Sequence, residues 1–176
     1  MSDIEIKDIA VIISGIVTAI STLLAVIITN IFNLKSANLK INQENEIRKI
    51  ERKLEKVEEF YHLFEKWETN FINMYLNYYR FFKGVISYQD TLELNKKQSM
   101  LLPGEAQKLK MILHIHLKEL LSDYNLVDKA RGELVPFLHE SGGLDTLEAE
   151  FVQKQENFER VSKEFKVKVA NYINEL

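Results

Sequence analysis

Two hydrophobic periodicities divide this chain. From Ile9 to Thr29 the sequence IAVIISGIVTAISTLLAVIIT runs 21 residues without a charge, and NIFNL extends it to Leu34, just before Lys35. A helix crossing a bilayer needs about 20 apolar residues, so the pattern predicts one transmembrane helix over 9–34. A cleaved signal peptide fits poorly, because Asp3, Glu5 and Asp8 outnumber Lys7 ahead of the run and the run is too long. A buried helix of a soluble protein would carry a broader polar stripe than Ser14, Thr18, Ser21 and Thr22.

Beyond the span the apolar positions alternate at three and four. Ile47, Leu54, Tyr61, Tyr75 and Phe82 occupy one position of a heptad, and Ile50, Val57, Phe64, Phe71, Tyr78 and Val85 the other. Only Glu68 interrupts them. Such spacing marks a coiled-coil or bundle seam, with EIRKIERKLEKVEE supplying the solvated flanks. No glycine or proline lies between Gly15 and Gly84, so nothing forces a helix to stop there. The Asn-rich stretch 33–45 is the best interior break.

The first cytoplasmic helix is expected over about 45–88. A loop follows through DTLELNKKQSMLLPGE, with Pro103 in the first turn of a second helix over about 104–140. Leu109, Leu113, Leu117, Leu120, Tyr124, Val127, Leu134 and Leu138 mark its apolar face, and Pro136 is expected to kink or fray its last turn. Ser-Gly-Gly at 141–143 terminates it. Asp145 and Glu148 have the spacing of a capping box, opening a third helix over about 145–175. Leu147, Phe151, Phe158, Val161, Phe165 and Tyr172 form its apolar face.

The predicted fold is therefore all-α. It has an extracytoplasmic tail (1–8), a single N-terminal transmembrane helix (9–34), a helical stalk (35–52) and a cytoplasmic antiparallel three-helix bundle (53–176). The layout resembles that of many small bacterial and prophage membrane proteins, although no motif in it names a family.

Charge sets the orientation. Lys35, Lys40, Arg48 and Lys49 follow the span while the N-terminal flank is acidic, and the positive-inside rule then places residues 35–176 in the cytoplasm, at the inner (plasma) membrane. Over the whole chain the net charge is −3, which supplies no basic field and argues against nucleic acid as a partner. Cysteine is absent, which excludes disulfides and thiolate chemistry. With 46% hydrophobic residues but a mean hydropathy of only −0.17, the apolar content is concentrated in the span.

Motifs of chemistry are missing. His114 and His116 invite a metal reading, but residues two apart on a helix point to nearly opposite sides. No HExxH, phosphate-binding glycine loop, dinucleotide fingerprint or nucleophile elbow is present. The expectation is a protein that is not an enzyme and holds no cofactor or metal.

Two sets of residues remain as candidate sites. Ser14, Gly15, Thr18, Ala19 and Thr22 put small side chains on one face of the span, where they let helices approach closely and self-associate in lipid. The second set lies around FINMYLNYYRFF, residues 71–82, with six aromatic rings in twelve positions. Asn70, Asn73, Asn77, Arg80, Lys83 and Ser87 form one narrow polar stripe on that otherwise apolar helix. A helix apolar over most of its circumference is covered on most sides. Phe71, Tyr75, Tyr78, Tyr79, Arg80, Lys83, Lys96 and Lys97 are the candidate partner or ligand surface. The main functional expectation is a self-associating, membrane-anchored helical scaffold that presents a cytoplasmic domain to a protein partner. The alternative is a bacterial antiviral or toxin-like effector that senses a small anionic ligand, such as a cyclic nucleotide, and perturbs the membrane.

Overall fold

The computed structural model describes residues 6–139 and 147–174, with side chains placed over 9–139 and 148–174. The chain is helical, without a strand among the described residues. It divides into two compact units, Met1–Lys49 and Ile50–Leu176.

Helix α1 (Ile6–Phe82) is continuous. The break expected within 33–45 does not occur. Asn and Ser inside a helix cost only a few tenths of a kcal/mol each, and without glycine or proline that is too little to interrupt it. The described side chains of the first unit are exposed throughout, including every large apolar residue from Ile9 to Leu34.

In the second unit, α1 ends in a Schellman turn. Val85 N–H donates to the Arg80 carbonyl at 2.9 Å and Gly84 N–H to the Phe81 carbonyl at 2.9 Å. Gly84 takes φ 67, the left-handed conformation that this turn requires and glycine adopts most readily.

The expected loop through 90–105 contains a helix instead, α2 (Tyr88–Lys97). Its start is a reciprocal capping box: the Ser87 hydroxyl accepts from Asp90 N–H at 3.1 Å, and the Asp90 carboxylate accepts from Ser87 N–H at 3.1 Å. The Ser-x-x-Asp spacing is the sequence signal for it.

The long second helix is divided as well. Helix α3 (Glu105–His116) begins after Gly104 at φ 92, so Pro103 lies before the helix and not in its first turn. At Leu117 (φ −128, ψ 45) the chain leaves the α conformation, makes a short 3₁₀ turn over Lys118–Leu120, and resumes as α4 (Leu121–Gly132). No glycine or proline marks this break. Leu113, Leu117 and Leu120 are buried on either side of it, as their spacing on one helical face predicts. Pro136 belongs to a separate 3₁₀ turn, Val135–Phe137.

The final helix is α5 (Leu147–Ile173). The glycine terminator at 141–143 and Asp145 of the expected capping box lie outside the described residues.

One core joins α1, α3, α4 and α5. Val57, Phe60, Phe64, Tyr75, Leu109, Leu113, Leu117, Val127, Leu134, Phe151, Phe158 and Val169 are at most 1% exposed. Trp67 sits at its centre, with ring centroids of Phe71, Phe64, Phe158 and Tyr124 at 4.8, 5.5, 6.0 and 6.1 Å. Phe165 meets Phe64 edge-on at 5.0 Å. Tilted and edge-on pairs of this kind add stability beyond the area they bury.

Of the heptad positions, Val57, Phe64, Tyr75, Tyr78 and Phe82 are buried, Leu54, Tyr61 and Phe71 are half-buried, and Ile47, Ile50 and Val85 are exposed, while Phe60, Leu63 and Trp67 outside the heptad are buried too. Glu68, the interruption, is also buried and pairs with Lys166 of α5 at 2.6 Å.

Candidate functional site

The small-residue face of the apolar segment 9–34 is helical and open. Thr18 Oγ1 donates to the Ser14 carbonyl at 2.8 Å, Thr22 Oγ1 to the Thr18 carbonyl at 2.8 Å, and Ser14 Oγ to the Val11 carbonyl at 3.3 Å. These hydroxyls are satisfied within their own helix and need no partner strand or helix for a hydrogen bond. A Cβ placed at Gly15 meets nothing within 4 Å. The face Ser14, Gly15, Thr18, Ala19, Thr22 is therefore smooth, and its use would be close packing.

The aromatic segment turns inward. Tyr75 is 0% and Tyr78 4% exposed, so neither contributes to a surface, contrary to the expectation. Tyr75 meets Phe158 and Phe151 edge-on at 5.6 and 6.2 Å, and the Tyr78 hydroxyl donates to the Leu138 carbonyl at 3.3 Å. Burial pushes the Tyr78 phenol up to about 12, with Tyr88 beside it adding to the effect, and burial raises Tyr75 further. Phe71 is half-buried, edge-on to Trp67, with the Arg131 guanidinium 5.5 Å from its ring centroid.

The cationic members of the set separate into two groups. Lys83 pairs with Glu148 of α5 at 2.5 Å and lies 5.5 Å from the ring centroid of half-buried Tyr79. The hydrogen bond that Lys83 donates to Glu148 raises the Lys83 pKa, against a smaller opposing effect of burial. Lys96 and Lys97 are exposed in the last turn of α2, and Arg80 is exposed on α1.

Sequence reasoning missed what covers the polar stripe. Asn77, only 3% exposed, donates through Nδ2 to Asn95 Oδ1 and to Gln98 Oε1, each at 2.9 Å. Asn70 Oδ1 accepts from Met100 N–H at 3.2 Å. Asn70 and Asn77 of the stripe thus dock α2 and the residues after it, while Arg80 and Lys83 stay exposed. Tyr88 completes the contact, with its ring 5.6 Å from Phe81 and 6.5 Å from Tyr78.

Helix α3 is tied to α1 by charge. Glu59 accepts from Lys56 at 2.7 Å and from Lys108, and Lys66 pairs with Glu105 at 2.9 Å. The two lysines, Lys108 foremost, hold the Glu59 carboxyl below its ordinary range.

A shallow groove of about 290 Å³ lies between α1 and α5, lined by Glu58, Tyr61, His62, Glu65, Ala170 and Ile173. Its walls are mostly apolar, with carboxylates and an imidazole along the α1 side. Nothing in the sequence periodicity distinguishes it, because it depends on how α5 meets α1.

No protein-family model, curated protein or solved structure matches this chain.

Proposed function

We propose that this chain is a single-pass, membrane-anchored interaction protein, with its N-terminal end outside and residues 35–176 in the cytoplasm. In this reading the C-terminal unit is a small helical bundle. Its main layers are α1, the α3–α4 segment and α5, antiparallel as three successive passes, and it is presented to a protein partner from the inner membrane. Copies associate through the span.

The observation that carries the reading is the surface of α1 from Ile9 to Leu34. Its large side chains are exposed all round, from Ile27 at 46% to Val11 and Phe32 at 70%. In water, burying a side chain of this kind is worth about 1.5–3 kcal/mol. A surface this long and this apolar on every side calls for lipid.

An interaction role is favoured over ligand sensing by the state of the candidate surface. Tyr75 and Tyr78 are interior, and Lys83 already has Glu148 as its counter-ion. Fewer groups are left to hold an anion.

The test is extraction of the full-length protein from membranes with alkaline carbonate, combined with C-terminal reporter fusions that are active only on one side. Retention in the pellet with a cytoplasmic C-terminus is expected. Release into the supernatant would overturn the anchor, and an external C-terminus would overturn the topology.

A further inference from the structure

We infer that α2 and its flanking turns, residues 84–104, form a releasable strap, whose undocking uncovers an amide and aromatic face on α1 while the rest of the core stays folded.

The first ground is how little apolar surface holds the strap. Of the ten residues of α2, only Thr91 is fully buried. Helix α4, of nearly the same length, buries Tyr124, Val127 and Ala130. Leu92 on α2 is 40% exposed. Segments with few buried apolar contacts open locally at a fraction of the global unfolding free energy.

Half-buried Tyr88 and Leu101 pack on the core, and the rest of what holds the segment is polar. The two Asn77 bonds to Asn95 and Gln98 and the Asn70 bond to Met100 N–H are neutral amide hydrogen bonds. Water can replace each of them on opening, so their net contribution is modest. They fix where α2 sits more than how tightly.

The second ground is where the segment begins and ends. The two positive-φ residues among the described ones, Gly84 and Gly104, bracket it. Nothing lies within 4 Å of a Cβ placed at either, so both turns have open space around them. Between them, the Ser87–Asp90 capping box starts α2 from within its own segment, without help from the core. A helix of ten residues does not persist alone in water, so release from α1 also unwinds it.

Undocking exposes the Asn77 carboxamide with Tyr78 and Phe81, which lie against Tyr88 when the strap is closed. Tyr75 remains packed against Phe151 and Phe158 of α5.

Hydrogen exchange with mass-spectrometric detection, on the full-length protein in detergent micelles, tests this directly. Amides of residues 91–98 are expected to exchange at least about tenfold faster than those of 60–78. In Asn77→Ala, exchange over 91–98 is expected to speed up by about a further tenfold, as two amide hydrogen bonds are lost, while 60–78 is unchanged. Asn95→Ala, which alters only the strap side, should act in the same direction and guards against a misfolded first variant. Equal protection of 91–98 and 60–78 in the parent protein would overturn the strap. So would variants that accelerate α1, α4 and α5 together with α2.

Discussion

Glu68 on α1 and Lys166 on α5 form an ion pair at 2.6 Å, with the Glu68 side chain 8% and the Lys166 side chain 25% exposed. Glu68 occupies the seam position that interrupts the heptad between Tyr61 and Tyr75. An isolated carboxylate there would face aromatic rings, and the lysine from the neighbouring helix is what makes it tolerable. Replacing Glu68 by alanine leaves a mostly buried ammonium without its partner, at a cost of about 2–3 kcal/mol in unfolding free energy, discounted from fully buried pairs for the residual exposure of Lys166. The double variant E68L/K166M should recover most of that loss. Urea denaturation followed by helical circular dichroism measures both, and an E68A variant as stable as the parent would contradict the assignment.

Alkaline pH should destabilise the C-terminal unit selectively. Burial opposes the charge on Lys166, but the hydrogen bond and attraction of Glu68 outweigh it and leave its pKa raised. Burial also raises Tyr75, Tyr124 and Tyr78, the last to about 12. A group with a raised folded pKa contributes its full stability below its unfolded pKa, about 10 for tyrosine and lysine, and loses it as pH rises through the folded value. The melting temperature should therefore be flat near neutrality and fall between about pH 10 and pH 12. Tyrosinate absorbance should rise with unfolding and not before it for the three buried rings.

Trp67 is the single tryptophan of the chain and reports on the core directly. Phe158 lies 6.0 Å from it and is 0% exposed. Phe158→Ala should cost about 3–5 kcal/mol and shift Trp67 emission to longer wavelength. Leu76→Ala, at a side chain 47% exposed, is expected to change stability by less than about 0.5 kcal/mol. Similar effects from the two substitutions would mean that the core is not packed as described.

At Gly84 the penalty is conformational and not steric. Alanine there meets no atom within 4 Å but must hold φ 67, which costs about 1 kcal/mol. Asparagine, which tolerates the left-handed region better, should cost less than alanine. A thermal melt of the two variants in parallel separates them, and an unchanged G84A would argue against the turn.

Over 9–34 the hydroxyls of Ser14, Thr18 and Thr22 bond within their own helix, so the proposed self-association would rest on close packing of the small-residue face. Gly15→Ile should reduce cross-linking between full-length copies in membranes severalfold, with Thr18→Val nearly silent. Equal cross-linking by parent and G15I would remove self-association through this face.

Much of the architecture was legible in the amino-acid order because it rests on local periodicity. The apolar run of 9–34, the all-helical character and the seam through Val57, Phe64, Tyr75 and Phe82 all follow from side-chain spacing along one helix. The polar stripe of Asn70, Asn73 and Asn77 was legible too, but its meaning was not. A stripe facing water and a stripe facing another polar helix have the same sequence, and only α2 docking through Asn95 and Gln98 distinguishes them. The Leu117 break had no local signal at all, since no glycine or proline occurs there.

The order of residues by itself determined that the chain is helical through most of its length and which face of the core helices is apolar, because backbone propensity and hydrophobic period act within a few turns; it did not mark α2 as a helix. Tertiary structure alone decided that Glu68 finds Lys166, that Tyr75 and Tyr78 are interior, and that α3 and α4 part at Leu117. Those outcomes depend on which side chains from distant segments compete for the same buried volume, and that competition is settled only when the helices meet.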